Sequence, residues 1–495
     1  MTVTIELQDA GATARLGEDL ARALRRSDVL ALSGEIGAGK STLARALIRA
    51  MADDAELEVP SPTFTLAQEY SLRIPIFHFD FYRLTDPDEA RELGLGEANE
   101  YSICLIEWPE RAGRLLPDSA IRLELKEAGT GRTASISGPA EAMERISRTL
   151  SIRYFLQKHG HGCASRRWFQ GDASTRAFEL VKDAEGPALV LMDHPEKPDL
   201  SPIVNGRSYR QTARITWTVK PFIAVANALR AHGFAAPEIV AQDRGGGLLL
   251  MENLGLGKIT DGEGWPVAAR YCAAAELLSQ LHLAKIGRDL PLGGGEVYTL
   301  PPYDRDALMI EARLMLDWYV PWRLGRAASE AEANRFENLW DDLISRLAGA
   351  ETGMILRDYH SPNIIWRENR AGIQRLGLVD IQDALFGPLS YDVSSLAQDA
   401  RVSIPSHLEA EILSAYVRAR AAAGGFDEAS FRLSYAITAL QRATKILGIF
   451  VRLDQRDGKP DYLRHLPRIE DYVRRAIKHP ALANLADFYS SFDLT

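Results

Sequence analysis

Residues Ser33 to Thr42 read SGEIGAGKST, and this stretch constrains the fold more tightly than its length suggests. A loop that wraps a phosphate must turn sharply and aim several backbone N–H groups inward. Gly34, Gly37 and Gly39 permit that backbone. In the spacing Gly34-x4-Gly39-Lys40-Ser41, the Lys40 ammonium can reach outer phosphates and the Ser41 hydroxyl can ligate Mg²⁺, with Ala38 and Thr42 completing the cradle. Asp28 to Leu32 is a short apolar run of strand type, and Leu43 to Met51 has helical spacing. The helix N-terminus would therefore face the anion. The expectation is an α/β P-loop NTPase domain that binds ATP.

That domain cannot fill 495 residues, a length that suits two or three domains. The net charge of −9 is unevenly spread. Residues 1–147 hold 16 Lys and Arg against 25 Asp and Glu, whereas the remainder holds 42 of each. The P-loop part is thus acidic and ill suited to gripping nucleic acid directly, so a partner would hold any RNA. Cys104, Cys163 and Cys272 lie far apart, with neither metal spacing nor a disulfide framework, which suits a reducing cytoplasm. The start, MTVTIELQDAG, lacks a basic segment followed by an apolar run, and no apolar stretch approaches the length of a membrane span. Neither a signal peptide nor a membrane segment is expected.

Within the first part, Val3–Leu7 reads as a strand and Asp9–Leu24 as a helix. Pro60 and Pro62 make Glu58–Leu66 a loop feeding a strand. Ile76–Leu84 alternates, with His78, Asp80 and Tyr82 on one side. Asp80 could orient water or metal, or be a surface acid on an edge strand. Ser102–Trp108 is a buried-type strand that delivers Glu107 at its end, the place of a Walker B carboxylate that holds the Mg²⁺ shell. There the bland alternative is a residue leaving the core. Pro117–Leu125 is a further strand, and Gly131-Arg132 sits in a turn after it.

Taken in order, Thr13-x2-Leu16-Gly17, GEIGAGKST, SPTFT, His78-x-Asp80-x-Tyr82-Arg83, IEWPER (Ile106–Arg111) and Gly131-Arg132 resemble the TsaE-type ATPases of threonylcarbamoyladenosine biosynthesis. The resemblance covers residues 1–140. It implies a small ATPase that binds TsaB- and TsaD-type proteins and supports their modification of tRNA beside the anticodon. It further implies that Ser41 and Glu107 hold Mg²⁺, that Asp80 acts in hydrolysis, and that Thr13 and Arg132 lie near the nucleotide. The family often has Asp-Leu where this chain has Glu35-Ile36, and Thr where it has Ser41, which keeps the hydroxyl.

Ala140–Leu150 reads as a closing helix and Arg153–His159 as the opening of a new one, which sets domains of 1–147 and 150–495. Strand patterns at Ala188–Asp193 and Gly247–Leu254 precede helical segments at 266–285, 303–320, 328–348, 407–423 and 428–453. Strands first and helices after predict an α+β bilobal domain, with a small lobe to about residue 255 and a helical lobe beyond it. In Leu356-Arg357-Asp358-Tyr359-His360-Ser361-Pro362-Asn363, Asp358 and Asn363 have the spacing of the protein-kinase catalytic loop. Asp380 follows at the end of an apolar strand, in the place of the metal-binding Asp of D-F-G. Phosphoryl transfer needs such a trio: a base for the alcohol, Asp358, and two groups for Mg²⁺, Asn363 and Asp380.

These motifs resemble the aminoglycoside phosphotransferase-type kinases, and among them the cell-wall amino-sugar kinases of AmgK type. The matching pieces are GDASTR, LMD, RDYHSPN, DIQDA with GP and YD after it, and QRATKILGIFVRL. The resemblance implies ATP- and Mg²⁺-dependent phosphorylation of N-acetylmuramate and N-acetylglucosamine at O1, in peptidoglycan recycling. Two departures stand out. Leu356 replaces a His common in relatives, and Met192 stands about where a protein kinase has its phosphate-pairing Lys. Ser174, Thr175 and Arg176 would then take over phosphate contacts. Glu311, Gln441, Arg442 and Lys445 are polar positions in apolar helices near the presumed cleft, and the sugar contacts are not readable. Two other readings fit the same residues: a non-catalytic regulatory module, or a kinase of another hydroxyl compound such as an aminoglycoside, choline or homoserine.

Overall fold

The computed structural model of the chain describes residues 2–169, 176–199, 201, 203–204, 206–492 and 494. It divides into two compact units, Met1–Asp193 and His194–Thr495.

In the first unit the strands are β1 (Thr2–Leu7), β2 (Val29–Ser33), β3 (Ala67–Tyr70), β4 (Ile76–Asp80), β5 (Ile103–Glu107), β6 (Ile121–Ala128) and β7 (Gly131–Ser137). They form one sheet of order β1-β7-β6-β2-β5-β4-β3. The inner strand β5 is parallel to β2 and β4, and all five of its residues are buried. Such burial on both faces is why Ile103-Cys104-Leu105-Ile106 reads as a continuous apolar run. Helices α1 (Ala10–Ala23) and α2 (Lys40–Ala52) pack on one face through Leu16, Leu20, Leu43 and Leu47. Phe79, Phe81, Cys104 and Ile106 build a second core that includes Ala90 of α3 (Asp88–Glu92) and Leu95 of α4 (Leu95–Tyr101). Gly17 permits the close crossing of α1 on α2, since a Cβ there would stand 2.4 Å from the Leu43 carbonyl oxygen.

Three expectations shift. The strand expected over Ile76–Leu84 ends at Asp80, because the Asp80 carboxylate takes the Tyr82 N–H at 3.0 Å and turns the chain. Gly131 and Arg132 open β7 rather than lying in a turn, which falls at Gly129 instead. Residues 140–158 form one helix, α5 (Ala140–Lys158), because nothing between Leu150 and Arg153 breaks it. The expected 147/150 boundary therefore falls inside a helix.

Beyond α5, strands β8 (Ser165–Phe169), β9 (Ala177–Lys182) and β10 (Leu189–Asp193) run as an antiparallel meander. A buried charge network ties this meander to α1 and α5. The Arg166 guanidinium donates to Asp19 at 2.7 Å and to both oxygens of Glu179 at 2.6 and 2.9 Å. Arg153 of α5 grips Asp19 with two bonds of 2.9 Å.

The second unit contains an antiparallel hairpin, Ile239–Asp243 with Leu248–Glu252, followed by a mostly helical body. Its core gathers Tyr303, Tyr319, Trp340, Tyr391, Leu440, Leu447 and Tyr472 around the helix Glu428–Gln455. No helix among the described residues is long and apolar enough to cross a membrane.

Candidate active sites

In the first unit the P-loop joins β2 to α2. Gly34, Gly37 and Gly39 have φ of 140°, 83° and 107°, in the region open to glycine. A Cβ on Gly34 would strike the Leu125 carbonyl oxygen at 2.5 Å. Lys40 and Ser41 open α2. The Lys40 ammonium folds into the loop, donating to the Gly34 and Glu35 carbonyls at 2.7 and 3.0 Å, and lies 3.8 Å from the centre of the Trp108 ring. Burial lowers its pKa, while Glu107, Glu110 and Asp80 pull it back up.

A cavity of about 330 Å³ opens here, lined by Gly37, Gly39, Lys40, Ser41, Thr42, Asp80 and Glu107 among others. Ser41 Oγ donates to Glu107 Oε2 at 2.9 Å. The Asp80 carboxylate accepts from Thr63 Oγ1 at 2.8 Å and from Ser61 Oγ at 3.3 Å. The SPTFT hydroxyls thus orient the acid beside the cavity. Ala38 is buried. Thr13 is buried on α1, and a Cβ on Gly39 would lie 3.3 Å from its methyl and 3.5 Å from Arg132 Nε. Arg132 donates to the Gly37 carbonyl at 3.2 Å, while its Nε is buried with no hydrogen-bond partner among the described residues. A phosphate oxygen would satisfy that N–H.

Sequence reasoning missed the role of His78. Its buried Nε2 lies 3.0 Å from Glu107 Oε1, so the carboxylate is held from both sides. The period-two pattern placed His78 on the same face as Asp80, but only the strand order shows that β4 neighbours β5.

In the second unit, Asp358 and Asn363 lie on the loop after the strand Thr352–Ile355, and Asp380 follows the strand Leu376–Leu378. Asn363 Nδ2 lies 2.9 Å from the Asp358 carbonyl oxygen and 3.5 Å from Asp380 Oδ2, so the predicted trio comes together. Asp380 has φ of 58°, strained for a non-glycine residue, and Gln382 Nε2 holds its Oδ1 at 3.1 Å. The backbone N–H groups of Leu356 and Arg357 donate to Asp392 at 2.6 and 2.8 Å. Asp392, quoted in the sequence only as part of YD, is therefore a structural anchor of the loop. Burial pushes its pKa up to about 7, against those two hydrogen bonds.

The Asp358 side chain is 41% exposed, open enough to meet an acceptor. Burial of the group raises its pKa, and neighbouring cations outweigh that and hold it below the usual carboxylate range. Burial and Arg401 in turn lower His360, whose Nε2 lies 3.9 Å from an Asp358 oxygen. Of the proposed phosphate-contacting turn, Ser174 and Thr175 lie outside the described residues, and Arg176 directly precedes β9. Met192 is buried on β10.

Comparison with known proteins finds a separate family for each part of the chain. Residues 7–134 match the family model for threonylcarbamoyl adenosine biosynthesis protein TsaE, and residues 166–433 match that of the phosphotransferase enzyme family. The chain is 32% identical to an N-acetylmuramate/N-acetylglucosamine kinase of Caulobacter vibrioides over 68% of its own length and 94% of that protein. It is 35% identical to a tRNA threonylcarbamoyladenosine biosynthesis protein TsaE of Haemophilus influenzae over 25% of its own length and 82% of that protein. Among solved structures, a microcompartment-associated aminopropanol kinase aligns over 70% of this chain and 99% of its own, with 15% identity and a TM-score of 0.45. Both matched families use ATP, and the TsaE family works in the tRNA modification pathway. The chain is an enzyme that belongs to the phosphotransferase enzyme family and carries a TsaE domain fused at its N-terminal side.

Proposed function

We propose that residues 1–147 are a Mg²⁺-dependent ATPase supporting threonylcarbamoyladenosine modification of tRNA. We propose also that residues 150–495 phosphorylate N-acetylmuramate and N-acetylglucosamine at the anomeric oxygen, for peptidoglycan recycling in the cytoplasm. The observation that carries the kinase reading is the convergence of Asn363 on both Asp358 and Asp380. Asp358 takes the proton of the O1 hydroxyl. The sugar oxygen then forms its bond to the γ-phosphorus of ATP as the bond to the bridging oxygen of ADP breaks. Asp380 and Asn363 present hard oxygen atoms that suit Mg²⁺, as do the Ser41 hydroxyl and Glu107 carboxylate in the other site. The ion would neutralise the phosphate oxygens.

In the P-loop site, Lys40 exchanges the Gly34 and Glu35 carbonyls for phosphate oxygens, Arg132 and Thr13 flank the loop, and Asp80 orients the attacking water. Ile36, 72% exposed at the cavity, and Phe64, 82% exposed after Thr63, fit a surface covered by TsaB- and TsaD-type partners. The acidic charge of this part supports tRNA being held by those partners and not by this chain.

The test is the full chain with ATP and a panel of amino sugars, aminoglycosides, choline and homoserine, with products read by phosphorus NMR. An anomeric phosphate on the two amino sugars is expected. Phosphate on an aminoglycoside, with none on any amino sugar, overturns the kinase reading. Co-purification with TsaB- and TsaD-type proteins tests the other.

A further inference from the structure

The helix Glu428–Gln455 is buried on all sides from Ala436 to Gly448, yet it carries Gln441, Arg442 and Lys445 there. Facing it, Glu311 is the buried acid of the helix Arg305–Leu314. Such polar residues invite assignment as substrate contacts, but their bonds go elsewhere. Gln441 Nε2 donates to the Leu308 carbonyl at 3.0 Å, and Arg442 donates to the Gln398 carbonyl at 2.8 Å. Lys445 Nζ lies 3.1 Å from each Glu311 oxygen. Glu311 also accepts hydrogen bonds from Tyr303 OH and from the Arg357 guanidinium.

Arg357 is the residue before Asp358, and its φ is 69°, a left-handed backbone that a long side chain rarely takes. The loop is therefore held there from outside. Asp392 holds the backbone N–H of Arg357, and Glu311 holds its side chain. The Glu311 carboxylate is set against the Arg357 and Lys445 cations, and all three are buried. Gly448 makes the reach possible. A Cβ there would stand 2.2 Å from the Leu314 carbonyl, so the two helices meet backbone to backbone one turn beyond Lys445.

We propose that Glu311 is a positioning residue for phosphoryl transfer: through Arg357 and Lys445 it fixes the direction in which Asp358 faces the acceptor hydroxyl. The proposal rests on Asp358 being the base and is independent of which acceptor is used. The Glu311, Arg357 and Lys445 side chains are taken up by one another, so the effect is expected on turnover and not on binding.

The experiment measures kcat, and KM for ATP and for whichever acceptor the wild-type chain phosphorylates, in full-length Glu311→Gln and Glu311→Asp. If the wild-type protein phosphorylates no amino sugar, the substrate reading fails while this test proceeds on the acceptor found. Glu311→Gln keeps the shape and loses the charge. It is expected to lower kcat about 30-fold with both KM values within about twofold, the scale of loss for a slightly misaligned catalytic group. Glu311→Asp keeps the charge and is expected to stay within about fivefold of wild type in kcat. A kcat within about threefold of wild type in Glu311→Gln, or equal losses in the two variants, overturns the proposal. So does a tenfold or larger rise in acceptor KM at constant kcat. Should Glu311→Gln fail to fold, Lys445→Met carries the test. A loss in kcat of about tenfold at constant KM supports the proposal, and a kcat within about twofold overturns it.

Discussion

Ser41 Oγ donates to one oxygen of Glu107 at 2.9 Å while His78 Nε2 meets the other at 3.0 Å, so a carboxylate at the end of a buried strand is fixed between a P-loop hydroxyl and a histidine. This places two hard oxygen donors, Ser41 Oγ and a Glu107 oxygen, side by side in the P-loop cavity.

His78→Ala removes one of the two groups that orient Glu107. Loss of such a supporting contact commonly costs about 10- to 100-fold in metal affinity. The Mg²⁺ concentration that half-activates ATP hydrolysis should rise by that order, with Lys40 and the loop intact. An unchanged Mg²⁺ dependence would show that Ser41 alone holds the carboxylate.

The two sites should separate by mutation. Lys40→Ala should abolish P-loop ATP hydrolysis, by about 100-fold or more, and leave sugar phosphorylation in place. Asp358→Asn should do the reverse, with a loss of about 10²- to 10⁴-fold in phosphorylation. Both activities are measured on the full chain, because cutting at 147–150 would sever α5 and leave Arg166 without Asp19. Loss of both activities in either variant contradicts the assignment.

Arg166 is fully buried between Asp19 and Glu179. Replacing it with Met strands two carboxylates that keep only Arg153 and Arg22. Breaking a buried pair in this way costs about 3 kcal/mol or more. Urea unfolding of the full chain should show the midpoint of the first unit's transition move to lower concentration, by that loss divided by the m value. A midpoint unchanged within error would mean the network is neutral.

Acid should weaken the second unit through Glu311. Burial alone would raise its pKa, but Arg357 and Lys445 outweigh burial and bring it from 4.5 down to about 2. A carboxylate depressed in the folded state contributes stability above its unfolded pKa, and that contribution is lost as pH falls from about 4.5 towards 2. It is of order 3 kcal/mol at neutral pH. The melting temperature of Glu311→Gln should therefore approach that of the wild type as pH drops through this window. A constant gap between the two across that range would contradict the ionised assignment.

Much of the chemistry was legible in the sequence, because it depends on local spacing. Gly34, Gly37, Gly39, Lys40 and Ser41 specify a phosphate cradle through backbone freedom and helix direction, both short-range properties. The five-residue step from Asp358 to Asn363 sets a loop in the same way, and the apolar run before Glu107 announces a central strand. What only the tertiary structure decided lies between elements distant in sequence. The register of β4 beside β5 is needed before His78 can meet Glu107. The backbone contact of Gly448 on Leu314 is needed before Lys445 can meet Glu311, and the packing of β8 against α1 before Arg166 can meet Asp19. A polar residue on an apolar helix gives no sign of whether it faces a ligand or a buried counter-charge. That depends on which side chain the opposing element presents, and the sequence carries that only through the completed fold.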